Sequence, residues 1–273
     1  MSTVLITGCS TGFGELAALA FADQGHRVFA TMRTPGKSAA IAARSDIEQV
    51  ALDVCDTASV DAAVAEVVAR AGGIDILVNN AGIEMFGAVH LLTDAEVMRQ
   101  LDTNVVGVVR MARAVVPVML AGGGGSIVNV GSLAGLVGVP YSGIYAASKH
   151  AVEALTEAMH FELSQQNIRV CVIEPGQFAT ALGANSVTAA AMTPDTPEYE
   201  RWQSYRAAQR KLVNGEPQPP SAVVDAIVRA ATDRPGQLRH PVGADADLVG
   251  GAKRSMPFEE FDATMRTVLD WQG

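Results

Sequence analysis

The sequence predicts an α/β protein: a single-domain, doubly wound parallel sheet of about seven strands with helices on both faces. Three observations predict it. Short apolar runs alternate with amphipathic helical patterns through the first two thirds of the chain. The first apolar run leads straight into a glycine-rich turn, Thr7-Gly8-Cys9-Ser10-Thr11-Gly12-Phe13-Gly14, and then into a helix. The chain has 273 residues, of which 49% are hydrophobic and 18% charged. That suffices for one large core, and no linker is long enough to split residues 1–273 into separate domains.

The elements follow in order. Residues 4–7 read as a short buried strand, and residues 15–24 as a helix stopped by Gly25. Strand, glycine turn and helix let backbone N–H groups and a helix N-terminus hold a pyrophosphate, with no Cβ in the ligand's way. The spacing here is G-x-x-x-G-x-G, not the commoner G-x-G-x-x-G. A second strand spans 27–31. An acid after it would bind the ribose 2′-OH of NAD. This chain has Met32 and Arg33 there, with Lys37 close by, which suits a 2′-phosphate and therefore NADP(H) over NAD(H).

A third strand at 49–54 carries Asp53 and Val54 near its end. A helix at 58–71 follows, capped by Asp56 or Thr57 and ended by Gly72-Gly73. The fourth strand, 76–78, runs into Asn79-Asn80-Ala81-Gly82, at the carboxyl edge where such sheets bind ligands. Thr93, with Glu96 three residues on, starts a long helix reaching about Leu120 with one break. From Val105 to Met119 only Arg110 and Arg113 are charged, so most of its sides need cover, one of them from a second subunit. Asn104 is the polar exception. The fifth strand, 126–130, ends at Gly131-Ser132, and the sixth, 168–173, at Glu174-Pro175-Gly176.

Between those two strands lies a helix at 144–165 bearing Tyr145 and Lys149, one above the other on a single face. A lysine ammonium close to a phenol favours the phenolate and brings the tyrosine towards the range of an acid–base catalyst. The segment at about 178–220 is looser, marked by five prolines, with Tyr199, Trp202, Tyr205 and Leu212 at helical spacing. It reads as a substrate lid docked through an aromatic stripe. With Phe86, Leu133 and Met192 it would line an apolar pocket. A helix at 221–232, a strand at 238–242 and a terminal helix at 258–271 complete the chain.

The formal net charge of −9 and the absence of any basic run exclude a phosphate-tracking nucleic-acid surface. The three cysteines, Cys9, Cys55 and Cys171, have neither disulfide-framework nor metal spacing, and no metal is expected. The opening apolar run is too short for a signal core, and no apolar run approaches the ~20 residues of a membrane span. The expectation is a cytoplasmic protein with no membrane partner.

The ordered set of Thr7-Gly8, Gly12, Gly14, Asp53, Asn79 to Gly82, Asn104, Ser132, Tyr145, Lys149, Pro175-Gly176 and Thr180 resembles the short-chain dehydrogenase/reductase family in its shorter, single-domain branch, with a Rossmann-type fold. The stretch Ala30-Thr31-Met32-Arg33 is similar to hydroxysteroid and retinol dehydrogenase-like members. The resemblance implies that Tyr145 is the general acid in reduction and base in oxidation, that Ser132 holds the reacting oxygen, and that Lys149 lowers the Tyr145 pKa and binds the nicotinamide ribose. It implies that Asn104 holds a water in a proton relay. Gly8, Ser10, Thr11, Gly12, Phe13 and Gly14 would surround the phosphates and ribose. Arg33 would meet the 2′-phosphate, Asp53 and Val54 the adenine. Asn80, Ala81 and Gly82 would pack beside the cofactor, and Pro175, Gly176, Phe178 and Thr180 would flank the nicotinamide. Phe13 stands where the family more often has Ile. The implied activity is NADP(H)-dependent interconversion of a ketone or aldehyde and an alcohol on a hydrophobic small molecule, by a homodimer or homotetramer. A non-catalytic NADP-binding sensor on the same fold is the alternative; a sensor has no need of Ser132, Tyr145 and Lys149 together.

Overall fold

The computed structural model describes residues 1–179, 186–213, 218–233 and 237–272. Its frame is one seven-stranded parallel sheet in the order β3-β2-β1-β4-β6-β7-β9. The strands are β1 (Thr3–Ile6), β2 (Arg27–Met32), β3 (Ile47–Ala51), β4 (Ile76–Asn79), β6 (Gly125–Val130), β7 (Ile168–Pro175) and β9 (Arg239–Val242). The order runs outward in both directions from β1 and β4, so the chain reverses between those two strands. Both faces are covered, which is why the central strands are continuous apolar runs and not alternating ones. Val4 and Ile6 enter the core on one face with Val78 and Val128, while Leu5 enters the other with Leu77 and Ile127. The two-residue period of the strand is intact, but it sorts residues between two cores instead of between core and water.

The first core is closed by α1 (Gly12–Asp23) and by α8 (Ser221–Thr232), which packs beside it; the second is closed by α3 (Thr57–Ala71) and α5 (Gly107–Ala121). Local chemistry sets these helix ends. Asp56 accepts from Ala58 N at 2.9 Å to cap α3, and Gly72 ends it at φ 83°. Thr93 and Glu96 form the expected capping box on α4 (Asp94–Leu101). The expected break in the long helix falls at Asp102–Val106, a π turn joining α4 to α5. Helix α6 (Gly143–Leu163) carries Tyr145 and Lys149 in its first two turns.

Several expectations need correction. Strand β3 ends at Ala51, so Asp53 and Val54 lie in the following loop. Residues 94–121 form a helical run of 28 residues that meets the length and composition of a membrane span. The reading of apolar runs missed it because Arg99, Asp102, Arg110 and Arg113 punctuate the stretch; in the fold, Met111, Val115 and Met119 pack into the second core. A two-stranded parallel ribbon, β5 (Met85–Phe86) with β8 (Val187–Thr188), was not anticipated. Nor was α9 (Ala244–Ser255), which precedes α10 (Phe258–Leu269). Helix α7 (Pro197–Gln209) carries the aromatic stripe.

Candidate active site

The carboxyl ends of β1, β2, β4, β6 and β7 open into one cavity of about 1570 Å³. One end is walled by backbone and small residues, the other by aromatic side chains. At the first end the glycine turn is stapled to the loop after β4. Asn80 Nδ2 donates to Thr7 O at 2.9 Å and Gly8 O at 3.2 Å, and Thr7 Oγ1 accepts from Asn80 N and Ala81 N, both at 3.0 Å. Gly8 and Gly12 have φ of 73° and 68°, conformations that favour glycine. A Cβ on Gly14 would lie 2.4 Å from Asn80 Nδ2 and 2.6 Å from Gly8 O. Thr11 precedes α1 in extended conformation and places no side chain on its first N–H groups. The helix therefore presents free donors to the cavity, the arrangement that receives phosphate. Ser10, Thr11, Gly12 and Phe13 line the same wall.

At the adenosine end, Met32 is buried while Arg33 and Lys37 are exposed at the rim, both lining the cavity. No acid stands at that strand end. Asp53 also lines the cavity, with Oδ1 accepting from Cys55 N at 3.0 Å, and buried Val54 packs under Gly107. Gly82 sits 3.4 Å, by its would-be Cβ, from Asn104 Oδ1. This cradle fits a dinucleotide: the backbone approaches closely at the glycine turn beside the first helix N-terminus, and Arg33 and Lys37 stand at the rim beyond it.

Tyr145 and Lys149 are both buried, and Ser132 faces them from the end of β6. Lys149 Nζ donates to Val130 O at 2.7 Å and lies 5.7 Å from the centre of the Tyr145 ring. Burial pushes Lys149 down to about 8, against the pull of Glu153 and Glu84. Glu153, one turn further along α6, is itself ion-paired to Arg239 at 3.1 Å, which also meets Glu174 at 3.2 Å. The expected lowering of Tyr145 is not what the protein alone produces. Burial pushes the phenol well above its ordinary value, the charge of Glu84 adds to this, and a hydrogen bond with Ser132 opposes it. The reason is that desolvating a phenolate in this dry site outweighs what the hydrogen bond with Ser132 returns. Tyr145 is thus held in its protonated form.

Asn104 occupies the π turn and spends its amide on structure. Nδ2 donates to Ile83 O and to Ser148 Oγ, both at 3.0 Å, and Oδ1 accepts from Ile83 N at 2.9 Å. One Oδ1 lone pair is left for anything else, so its side chain first of all fixes the loop after β4. Pro175, Gly176 and Phe178 line the cavity, and Phe178 meets Phe13 edge-on at 6.1 Å, which gives Phe13 a packing role. Thr180 lies outside the described residues. The expected pocket residues Phe86, Leu133, Trp202, Tyr205 and Leu212 line the cavity. Met192 does not: it is buried beneath, with Ala189 and Trp202. The C-terminal segment supplies further wall through Phe261, Met265 and Trp271, which sequence patterns did not connect to the site.

Two further residues were missed. Asp245, fully buried at the start of α9, accepts from Gln177 N at 2.7 Å and Gln218 Nε2 at 3.2 Å. It therefore ties down both ends of the segment that departs after β7. Glu84 lines the cavity with Ser142 and Arg206. The signal for it was present: a lone acid in the otherwise apolar stretch Ile83-Glu84-Met85-Phe86. Among the described residues no group of three His, Cys, Asp or Glu side chains could hold a metal ion.

Fold and site together define a dinucleotide-dependent oxidoreductase. A family model described as short chain dehydrogenase matches residues 2–191, and the chain belongs to that family of NAD(P)-dependent dehydrogenases and reductases. It is 40% identical over 182 residues to a 3-ketodihydrosphingosine reductase of Bacteroides thetaiotaomicron, covering 67% of this chain and 66% of that one. It is 36% identical over 252 residues to retinol dehydrogenase 8 of Homo sapiens, covering 87% of this chain and 80% of the relative. The crystal structure of a short-chain dehydrogenase from Streptomyces avermitilis matches with a TM-score of 0.81 at 33% identity, covering 98% of this chain and 99% of that chain.

Proposed function

We propose that the chain is an NADP(H)-preferring carbonyl reductase or alcohol dehydrogenase that acts on a hydrophobic small molecule, with Tyr145 as general acid in reduction and base in oxidation. The observation that carries this is the position of Tyr145, with Ser132 and Lys149, at the junction between the backbone-lined and aromatic-lined ends of one cavity. A bound nicotinamide supplies the hydride. The chain's residues do the rest. Ser132 and Tyr145 direct hydroxyl groups at the carbonyl oxygen, where negative charge develops, and Tyr145 delivers the proton. Lys149, near 8, holds a proton beside the phenol that it can share as Tyr145 is restored. Phe13 and Phe178 exclude water from the wall between the two ends.

The preference for NADP(H) is supported by Arg33 and Lys37 at the rim and by the absence of an acid after β2. The hydrophobic substrate is supported by Phe86, Trp202, Tyr205 and Leu212, and by relatives named for a 3-ketodihydrosphingosine and for retinol. A homodimer or homotetramer would cover the exposed Val106, Val109 and Leu120 along α5 and the π turn. Three unpaired cysteines suit the cytoplasm.

Tyr145→Phe tests the mechanism. Loss of the phenol removes the proton donor, and turnover of any ketone substrate should fall by roughly 10²–10⁴-fold. NADPH binding, read by fluorescence, should remain. Retained turnover would refute the role of Tyr145.

A further inference from the structure

Glu84 is out of place in a pocket built for an apolar ketone. Its carboxylate lines the cavity, and its one side-chain hydrogen-bond partner among the described residues is Ser142, whose Oγ is 3.4 Å from Oε1. No ion pair to it forms among the described residues. The nearest charges are held apart from it for reasons of their own. Arg206 attracts Glu84 only from a distance, since its guanidinium stacks over Phe86 at 5.5 Å and Trp202 at 5.0 Å. Lys149 is hydrogen-bonded to Val130 O. The position is fixed from both sides. Glu84 O accepts from Val187 N at 2.9 Å, and Gly87 N donates to Tyr141 O at 2.7 Å. Ser142 itself stands at the entry to α6, three residues before Tyr145.

A carboxylate so placed works against the reaction. Burial disfavours its charge, and that charge disfavours the phenolate and any negative charge growing on the carbonyl oxygen. A substrate that brings its own cation next to the carbonyl would cancel both effects at once. It would give Glu84 the partner that the chain withholds, and it would remove the negative field from the reacting oxygen.

Resting on the reading of Tyr145 as proton donor, we propose that Glu84 is the recognition site for a positively charged amino group beside the reacting carbon, so that the substrate is an amphiphilic amino ketone or vicinal amino alcohol with an apolar tail. The head sits between Glu84, Ser142 and the Ser132–Tyr145 pair. The tail runs along Trp202, Tyr205 and the C-terminal wall. Arg206, held on its two rings, bounds the head on the far side.

The test uses the full chain with NADP⁺ and three long-chain secondary alcohols: a vicinal amino alcohol, its N-acetyl derivative, and the same alcohol without nitrogen. The wild type should show a kcat/KM for the free amine above both others by roughly 10- to 100-fold, the worth of one charge-assisted hydrogen bond. Glu84→Gln keeps the shape and should bring the three within a few-fold of one another. Stabilisation by each alcohol in the presence of NADP⁺, read as a Tm shift, gives the same comparison without turnover; the free amine's advantage should vanish in Glu84→Gln. Equal kcat/KM for amine and plain alcohol, an advantage shared by the N-acetyl compound, or an advantage that survives Glu84→Gln would each overturn the assignment. A Tm advantage for the amine that depends on Glu84, with no turnover of any alcohol, would uphold the site and sink the proposed reaction instead.

Discussion

The two ends of the cavity are built on different principles. The cofactor end is made of main chain: the turn between β1 and α1, the loop after β4, and the hydrogen bonds from Asn80 and Thr7 that lock them together. Its residues come from short stretches, each at the end of a strand. The substrate end is made of side chains brought from far apart, with Phe86 against Trp202 at 5.1 Å and Tyr205 against Trp271 at 4.9 Å. A main-chain site tolerates almost no change because a backbone cannot step aside. A side-chain site can be reshaped one residue at a time, and substrate choice can vary while the chemistry stays fixed.

That contrast can be broken most severely at Gly14. In Gly14→Ala the new Cβ meets Gly8 O and Asn80 Nδ2 at distances no real Cβ shows, and neither is the free end of a flexible side chain. NADPH affinity should fall by 100-fold or more, on the order of 3 kcal/mol, because the stapled turn has to open. Titration by fluorescence quenching checks it; wild-type affinity would show that the turn is softer than its hydrogen bonds imply. Arg33→Asp is the next largest. The exposed cation proposed to face the ribose 2′ position becomes an acid that can accept from a ribose hydroxyl but repels a phosphate. The ratio of kcat/KM for NADPH over NADH should fall by roughly 10- to 100-fold, a change of about 1.4–2.8 kcal/mol. An unchanged ratio would show that Arg33 does not read the cofactor.

The same contrast decides what could be read in the sequence. Gly8, Gly12, Gly14, Asn80, Ser132, Tyr145 and Lys149 were legible because each sits at the end of a recognisable strand or on one helix face, and the doubly wound sheet brings those ends together by topology alone. The Tyr145 environment was legible only in part. Sequence places a lysine one turn away, but it does not show that both groups are buried, and burial reverses the expected direction of the tyrosine shift. Asn104 stood out as polar in an apolar helix, yet its partners Ile83 and Ser148 come from two other segments. Trp271 and Phe261 were invisible as pocket residues, since nothing local says that the C-terminal segment packs against Val137 and Tyr205. Met192 was assigned to the pocket on hydrophobicity, and hydrophobicity cannot tell a wall from the packing behind it.

At the substrate end, Trp202→Ala should change which molecules are accepted and leave the cofactor alone. Trp202 packs on Phe86 and Tyr199 and faces the cavity, so its removal opens space beside the reacting carbonyl. KM for small ketones should rise by roughly tenfold, as expected for lost apolar contact worth 1–3 kcal/mol, while bulkier ketones gain. Unchanged NADPH affinity is part of the expectation. If cofactor binding fell as well, the two ends would be one unit and the contrast drawn above would fail.

The smallest effect is expected where the two ends meet. Asp245 is fully buried, and its carboxylate holds Gln177 N beside the cofactor end and Gln218 at the return of the substrate segment. There is no room to replace this tie from the other side, because a Cβ on Gly176 would already overlap the carboxylate. Asp245→Asn keeps the volume and one acceptor oxygen, so it should hold one of the two partners and turn an N–H against the other. The cost is about 1–3 kcal/mol for a buried group left unpaired, which lowers the Tm of a chain this long by about 2–6 °C. Both KM for ketone and Kd for NADPH should rise by a few-fold together, since one residue anchors both loops. A variant in which only one of the two constants moves would show that Asp245 serves a single end, and that the halves are joined elsewhere.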